Sequence, residues 1–214
     1  MADDPAETEA LLGRAAAGDG AAWGALLTVH QDRLARMVAF RMDPRLRGRV
    51  DAADVVQDAF ADASEKRHVY FAAAAAPLFL WLRRVVSNTL LEVHRHHLGT
   101  RMRDVKCEMP LEAPRGPNDT AAALCAHLTA GLTRPSAAAA RGEVRTRLAE
   151  ALGGMDATDR EVLALRHFEQ LTSAEAAQVL GIQERAAAKR YLRALERLRH
   201  VLADMPGGLT EMRP

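Results

Sequence analysis

Aromatic residues are scarce in this chain of 214 residues, at 4% of the total, although apolar residues make up 49%. Its cores must therefore be filled mainly by Ala, Leu and Val, a composition that favours helices over strands. No apolar run reaches the roughly 18 residues that a transmembrane helix needs. The N-terminal sequence MADDPAETEA is acidic and lacks the apolar core of a signal peptide. We therefore expect an all-α, cytoplasmic protein without membrane insertion.

Cysteine and net charge are also low. The chain has two cysteines, Cys107 and Cys125, and a formal net charge of +1. In a reducing cytoplasm both thiols are expected to be free. His94, His96 and His97 do not share one helical face, and the cysteines lie at no recognised ligand spacing, so no metal site is predicted. A nearly neutral chain can attract nucleic acid only where basic residues are segregated locally.

Breaks in the helical periodicity predict two helical domains joined by a flexible linker. The first domain is predicted over 1–98, and residues 5–98 of it show helical apolar spacing throughout. Residues 99–142 are rich in Pro and Gly and have no long periodic stripe, which predicts a linker with at most a short helix over 124–132. Periodicity returns over 143–205, and 206–214 form a tail. The helices of this second domain are expected near 143–152, 157–169, 173–180 and 184–203.

The densest signal lies near the C-terminus. Thr172 and Glu175 have the spacing of a capping box, which predicts the start of a helix. Gly181 can adopt the left-handed conformation that ends this helix, and Ile182 supplies an apolar residue in the turn. A second helix begins near Glu184. The order helix, turn, helix is typical of a unit that holds a recognition helix in a DNA major groove.

The second helix of this unit separates apolar from basic residues. The apolar residues are expected to form a core-facing stripe: Ala188, Tyr191, Leu192, Leu195, Leu198 and Leu202. The basic residues lie largely outside it: Arg185, Lys189, Arg190, Arg193, Arg197 and Arg199. Such a helix can attract phosphates while its first turns reach base edges. A solvated basic face is the alternative, but the capped helix, the Gly turn and the basic helix in this order favour DNA binding.

Carboxylates recur every three or four residues in the segment DAADVVQDAFADASE (51–65). They therefore share one helical face: Asp51, Asp54, Asp58, Asp62 and Glu65. The apolar residues between them are expected to face the core: Val55, Val56, Ala59, Phe60 and Ala63. Because like charges on one face repel each other, a basic partner would relieve them. The segment indicates either a solubilising surface or a docking face for a basic protein surface.

Aromatic and basic residues lie side by side from Tyr70 to Arg101. The aromatic residues are Tyr70, Phe71, Phe79 and Trp81, and the basic and polar ones include Arg83, Arg84, Asn88, Arg95 and Arg101. Aromatic rings beside cations suit the unstacked bases of single-stranded nucleic acid. Burial in the core is the alternative for Phe79 and Trp81. The residues alone leave both interpretations open.

Taken in order, the blocks DAADVVQDAF (51–60), FLWLRRVVSNTL (79–90) and DREVLALRHFEQLTSAEAAQVLGIQERAAAKRYLRALERLR (159–199) resemble the extracytoplasmic-function class of RNA polymerase sigma factors. These sigma factors keep only the second and fourth conserved regions. The resemblance leaves out the linker and both tails. It implies a region 2-like domain over 1–98, a region 4-like domain over 143–205, and the partners core RNA polymerase and promoter DNA. An anti-sigma factor is a common further partner in this family.

The resemblance also implies roles for individual residues. Those that match the signature for binding the clamp helices of the polymerase largest subunit are Asp51, Asp54, Gln57 and Asp58. Those assigned to the melted −10 element are Trp81, Arg84 and Asn88, joined by Phe71 from the aromatic segment, with Asn88 lining the pocket for a flipped base. Those assigned to the duplex −35 element are Arg166, Arg185, Lys189, Arg190 and Arg193. The family usually has Lys or Arg where this chain has Ala188.

Two other classes of protein fit parts of the pattern. A helix-turn-helix regulator would bind duplex DNA without docking on core polymerase, but residues 1–98 show no strand–helix alternation of a receiver domain. A protein-interaction module would use the helices to sequester another factor. No Gly-rich phosphate loop, nucleophile motif or acid–base pair is present, so neither an enzyme nor a cofactor is expected.

Overall fold

The computed structural model describes residues 5–46, 48–73, 76–98, 117–130 and 138–203. The chain divides into two compact units, Met1–Glu108 and Met109–Pro214. All regular elements in the described ranges are helical, which confirms the predicted all-α class. None of the described helices is both long and apolar enough to cross a membrane.

The described residues of the first unit form five α-helices and a short 3-10 turn. The helices are α1 (Pro5–Ala16), α2 (Gly20–Arg41), α3 (Ala52–Glu65), α4 (Arg67–Ala73) and α5 (Leu78–Leu98), and the 3-10 turn is Pro44–Leu46. Helix α1 packs on α2, and α3 packs on both α2 and α5. The fully buried side chains between these helices include Leu34, Val38, Val56, Leu82 and Val86. The three longest helices thus share one apolar core.

Side-chain oxygens set where α2 and α3 begin. Asp19 accepts hydrogen bonds from the backbone N–H groups of Ala21 and Ala22, at 2.9 and 3.1 Å. Asp51 accepts one from the N–H of Ala53 at 2.9 Å. Each aspartate satisfies amides that have no partner within the helix. The expected core-facing residues of α3 are all buried: Val55, Val56, Ala59, Phe60 and Ala63.

Where the structure describes the second unit, it also contains five α-helices. They are α6 (Pro117–Ala130), α7 (Ala138–Gly153), α8 (Ala157–Leu163), α9 (Ser173–Leu180) and α10 (Glu184–Ala203), and a π-helical turn, Ala164–Phe168, continues α8. Helix α10 packs on α7, α8 and α9. The four helices predicted over 143–205 are present, and within that range the sequence pattern missed the π-helical turn after Leu163.

The structure differs from the sequence expectation within 99–142, where a linker was predicted. Residues 117–130 form α6, which packs on α7 and α8. The Leu124 side chain of α6 is completely buried, and the Thr120 hydroxyl donates a hydrogen bond to the buried Glu161 carboxylate at 3.0 Å. The sequence allowed at most a short helix over 124–132, because one buried leucine gives no visible period, and it missed the part of α6 before Leu124. Residues 99–116 and 131–137, including Cys107, lie outside the described residues.

The predicted apolar stripe of α10 is wrong at one position. Leu192 is 65% exposed, whereas the buried positions of the helix are Ala187, Ala194 and Leu198. The spacing of these buried residues rotates the contact face away from Leu192. This rotation depends on how α10 packs against α7, α8 and α9. Two of the buried residues are alanines, which indicate a contact face in a sequence less clearly than leucines do. Leu202 lies among the residues whose side chains are not described.

Candidate functional site

The helix-turn-helix of the second unit forms as the sequence predicts. The Thr172 hydroxyl accepts a hydrogen bond from the Glu175 N–H at 3.1 Å, and the Glu175 carboxylate accepts one from the Thr172 N–H at 2.7 Å. Gly181 has φ +61° and ψ +30°, the left-handed conformation that ends α9. The Ile182 N–H then donates to the Ala177 carbonyl at 3.0 Å. The two reciprocal bonds and the left-handed glycine therefore confirm the predicted start and end of α9.

Basic residues of α10 differ in how freely they can reach a ligand. Arg185 and Lys189, in the first two turns, are exposed, and no ion pair engages them in the described part of the chain. Arg193 is 54% exposed, with its nearest carboxylate oxygen, on Asp159, at 3.7 Å. Arg190 is only 32% exposed. The first turns of α10 thus present the accessible positive charge.

Arg190 is held by two carboxylates at the start of α8. Its Nη1 lies 2.7 Å from Asp159 Oδ1 and 3.3 Å from Asp156 Oδ1. The hydrogen bond to Asp159 raises the pKa of the guanidinium. Asp156 also accepts a hydrogen bond from the Thr158 N–H at 2.9 Å, so it caps α8 while it faces Arg190. The pattern of basic residues in the sequence did not reveal this contact, because the acidic partners lie about 30 residues earlier.

Arg166 is likewise engaged within the second unit. It lies in the π-helical turn, and its Nη1 donates a hydrogen bond to the Leu171 carbonyl. Its guanidinium carbon is 5.3 Å from the centre of the Tyr191 ring, within the range of a cation–π contact. Arg166 thus links the turn before α9 to α10. The sequence assigned it to a DNA phosphate, a role that these contacts leave untested.

A buried arginine that the sequence analysis did not single out closes α7. Arg160 is 5% exposed. Its Nη1 donates hydrogen bonds to the carbonyls of Leu152 at 2.8 Å and Met155 at 2.6 Å. These contacts satisfy carbonyl groups at the end of α7 and place a cation at the negative end of the helix dipole. A basic residue near the end of a helix can be recognised in a sequence as a capping candidate. Arg160 could not be recognised in this way, because it lies in the next helix, α8.

The acidic face of α3 is exposed as predicted, but its members have different contacts. Asp51 caps the helix, and Asp62 forms an ion pair with Lys66 at 2.6 Å. Asp54, Gln57 and Asp58 are exposed. Among the described residues, no ion pair engages the Asp54 or Asp58 carboxylate. Two adjacent turns of α3 therefore present negative charge to solvent.

An open groove of about 450 Å³ lies between α3 and α5. Its acidic lining comes from Asp58, Asp62 and Glu92, and its remaining lining from Lys66, Thr89, Val93, His96 and His97. The groove therefore continues the acidic face of α3 towards the C-terminal half of α5. In the described part of the chain, no group of three or more His, Cys, Asp or Glu residues is placed to hold a metal ion.

The aromatic residues before and within α5 pack together. Trp81 is 8% exposed, and its ring centre lies 6.2 Å from that of Trp23 and 5.3 Å from that of Tyr70. Phe71 is half-buried, with its ring 5.9 Å from Trp23. Of the two readings that the sequence left open for Trp81, the structure favours burial. Edge-on contacts of this kind stabilise a core.

The polar residues predicted for the same region lie on one face of α5. Arg84 is half-buried and Asn88 is exposed, one turn further along the helix. The spacing of three and four residues from Trp81 to Arg84 to Asn88 aligns them along the helix. The structure thus places the Asn88 amide at the surface and the Trp81 ring in the core, two helical turns earlier.

Comparison with known proteins identifies the C-terminal unit. Residues 145–198 match the family model described as sigma-70, region 4. No curated protein matches the chain. Among solved structures, the chain is similar to that described as CnrH in complex with the cytosolic domain of CnrY, with 26% sequence identity. That match covers 92% of this chain and 99% of the other, with a TM-score of 0.47.

The match to the family model covers α8, α9, most of α10 and part of α7. Within the second unit, residues 145–198 are therefore similar to region 4 of sigma-70 proteins. This match agrees with the part of the sequence resemblance that concerns region 4.

Proposed function

We propose that this chain binds core RNA polymerase and directs promoter recognition by reading duplex −35 DNA and melted −10 DNA. The observation that carries the proposal is the helix-turn-helix inside the segment that matches sigma-70 region 4. The capping box starts α9 and the left-handed glycine ends it, so that α10 follows after the short turn that such a motif requires. Neither a cofactor nor nucleotide hydrolysis is needed, because binding energy opens the strands.

The first turns of α10 are the part that reads −35 DNA in this proposal. Arg185 and Lys189 are exposed there and free of ion pairs in the described part of the chain. Cations in this position neutralise phosphates, and side chains from the start of a recognition helix reach base edges in the major groove. Arg193, one turn after Lys189 and 54% exposed, extends this surface.

The exposed face of α3 is the docking surface. Asp54, Gln57 and Asp58 point away from the buried residues of the helix. A basic helical surface of the polymerase would relieve the repulsion between the two carboxylates. Charge complementarity of this kind raises the association rate and fixes the register of the complex.

The exposed face of α5 handles the melted −10 element. Asn88 can offer both a donor and an acceptor to the edge of an extruded base, and Arg84 adds positive charge one turn earlier. Trp81 contributes indirectly, because its buried ring packs α5 against Trp23 and Tyr70. An anti-sigma factor is a further proposed partner, and the sequence resemblance is the support for it.

The direct test is transcription with sigma-free core polymerase. Added to core polymerase and fragments of the source genome, the chain should start transcripts at discrete positions that share sequence elements near −35 and −10. Absence of any specific start would refute the sigma-factor role. If the chain still bound duplex DNA in that case, the helix-turn-helix regulator would be the better description.

Docking can be tested separately by reversing charge on α3. The double variant Asp54→Lys/Asp58→Lys should weaken binding to core polymerase and leave DNA binding by the second unit intact. The matched control is Glu7→Lys/Glu9→Lys, which makes the same charge change at exposed positions of α1. Equal loss of polymerase binding in both variants would show that net charge, and not the α3 face, is responsible.

A further inference from the structure

We infer that Arg190 is a positioning residue, which ties the recognition helix to the start of α8 and does not contact DNA. The inference rests on the proposed function and concerns how its −35 surface is built. It divides the predicted −35 residues into two groups. Arg185 and Lys189 are exposed and can meet DNA, whereas Arg190 is held by two carboxylates of its own domain.

The geometry of the contact is that of a link between two helices. One guanidinium nitrogen of Arg190 lies within hydrogen-bond distance of carboxylates on both Asp156 and Asp159. Asp156 is the N-cap of α8 and Asp159 lies in its first turn. The two carboxylates thus interact favourably with the positive end of the α8 dipole, and at the same time they bind the Arg190 guanidinium of α10.

Partial burial of Asp159 makes this link hard to exchange for a phosphate. The Asp159 side chain is 18% exposed, while that of Arg190 is 32% exposed. If Arg190 turned towards DNA, it would leave the largely buried Asp159 carboxylate without its 2.7 Å hydrogen bond, which is costly for a charged group. Only the longer contact of Arg193 to Asp159, at 3.7 Å, can be given up at small cost.

The position of the link also explains what it controls. Arg190 follows Lys189 directly and comes five residues after Arg185, so it lies beside the two turns that face DNA. Anchoring the helix at this point sets both the rotation of α10 and its angle to α8. Arg166 supports the same arrangement from the other side through its contact with the Tyr191 ring.

The salt dependence of promoter binding distinguishes positioning from phosphate contact. Each neutralised phosphate contributes about 0.9 to the slope of log K against log salt concentration. We would measure this slope for the chain bound to core polymerase, with a duplex promoter fragment from upstream of a start found in the transcription assay. Lys189→Gln should lower the slope by about 0.9. Arg190→Gln should weaken binding with the slope unchanged, and a decrease equal to that of Lys189→Gln would overturn the inference.

A variant on the acidic side provides an independent test. In Asp159→Asn the basic residues are intact, so a DNA-contacting Arg190 would be released and promoter affinity would rise. The inference predicts the opposite: lower affinity, a lower unfolding temperature, and little further loss when Arg190→Gln is added. A gain in affinity, or strictly additive effects on the unfolding temperature, would refute it. Failure of wild-type protein to start any transcript would instead refute the proposed function.

Discussion

Helix α6 provides the sharpest test of how the second unit is built. The sequence assigns residues 99–142 to a linker, in which replacing a leucine by alanine would cost nothing. In the structure the Leu124 side chain is completely buried where α6 packs on α7 and α8. Removing such a side chain costs the transfer free energy of its methyl and methylene groups and leaves a cavity, in total about 2–5 kcal/mol. Leu124→Ala should therefore destabilise the second unit by that amount.

The chain offers a matched control and a way to separate its two units. Leu192→Ala makes the same change on a helix of the same unit, but at a position that is 65% exposed, so its effect should stay within about 0.5 kcal/mol. Both tryptophans, Trp23 and Trp81, lie in the first unit. Their emission therefore records unfolding of the first unit, while far-UV circular dichroism follows the helices of both.

Urea unfolding of the full chain gives the result. The circular dichroism transition of Leu124→Ala should shift to lower urea, or split, while the tryptophan transition stays where it is in the wild-type protein. Equal unfolding curves for Leu124→Ala and Leu192→Ala would refute the packing of α6 and restore the linker interpretation.

Two further predictions concern single hydrogen-bonded groups. Thr172→Ala removes one half of the capping box and should destabilise the second unit by about 1 kcal/mol, whereas Thr172→Ser, which keeps the hydroxyl, should change the urea midpoint little. In the first unit, hydrogen bonds from Arg45 lower the pKa of Asp43 to about 2. Their stabilising effect is therefore complete above about pH 4 and is lost as the pH falls towards 2, so wild type and Asp43→Asn should converge in unfolding temperature over that range. A constant difference would contradict the assignment.

Several features of this protein could be predicted from local sequence patterns. The capping box at Thr172 and the glycine at 181 depend on contacts between near neighbours, so their spacing alone predicts the helix and its end. The acidic face of α3 follows in the same way from helical periodicity, together with its buried side. Order along the chain was then enough to suggest region 4, which the family match supports.

Other features required the tertiary structure, because residues far apart in the chain decide them. Whether Arg190 faces DNA or Asp159 depends on the packing of α10 against α8, and the exposure of Leu192 depends on the rotation of α10 in that same contact. Leu124 shows that a sequence pattern can also miss a buried residue. Its segment has a composition typical of a linker, yet burial against α7 and α8 makes it part of a core. Sequence patterns report the preferences of one helix at a time, whereas burial and ion pairing are properties of the helices in contact.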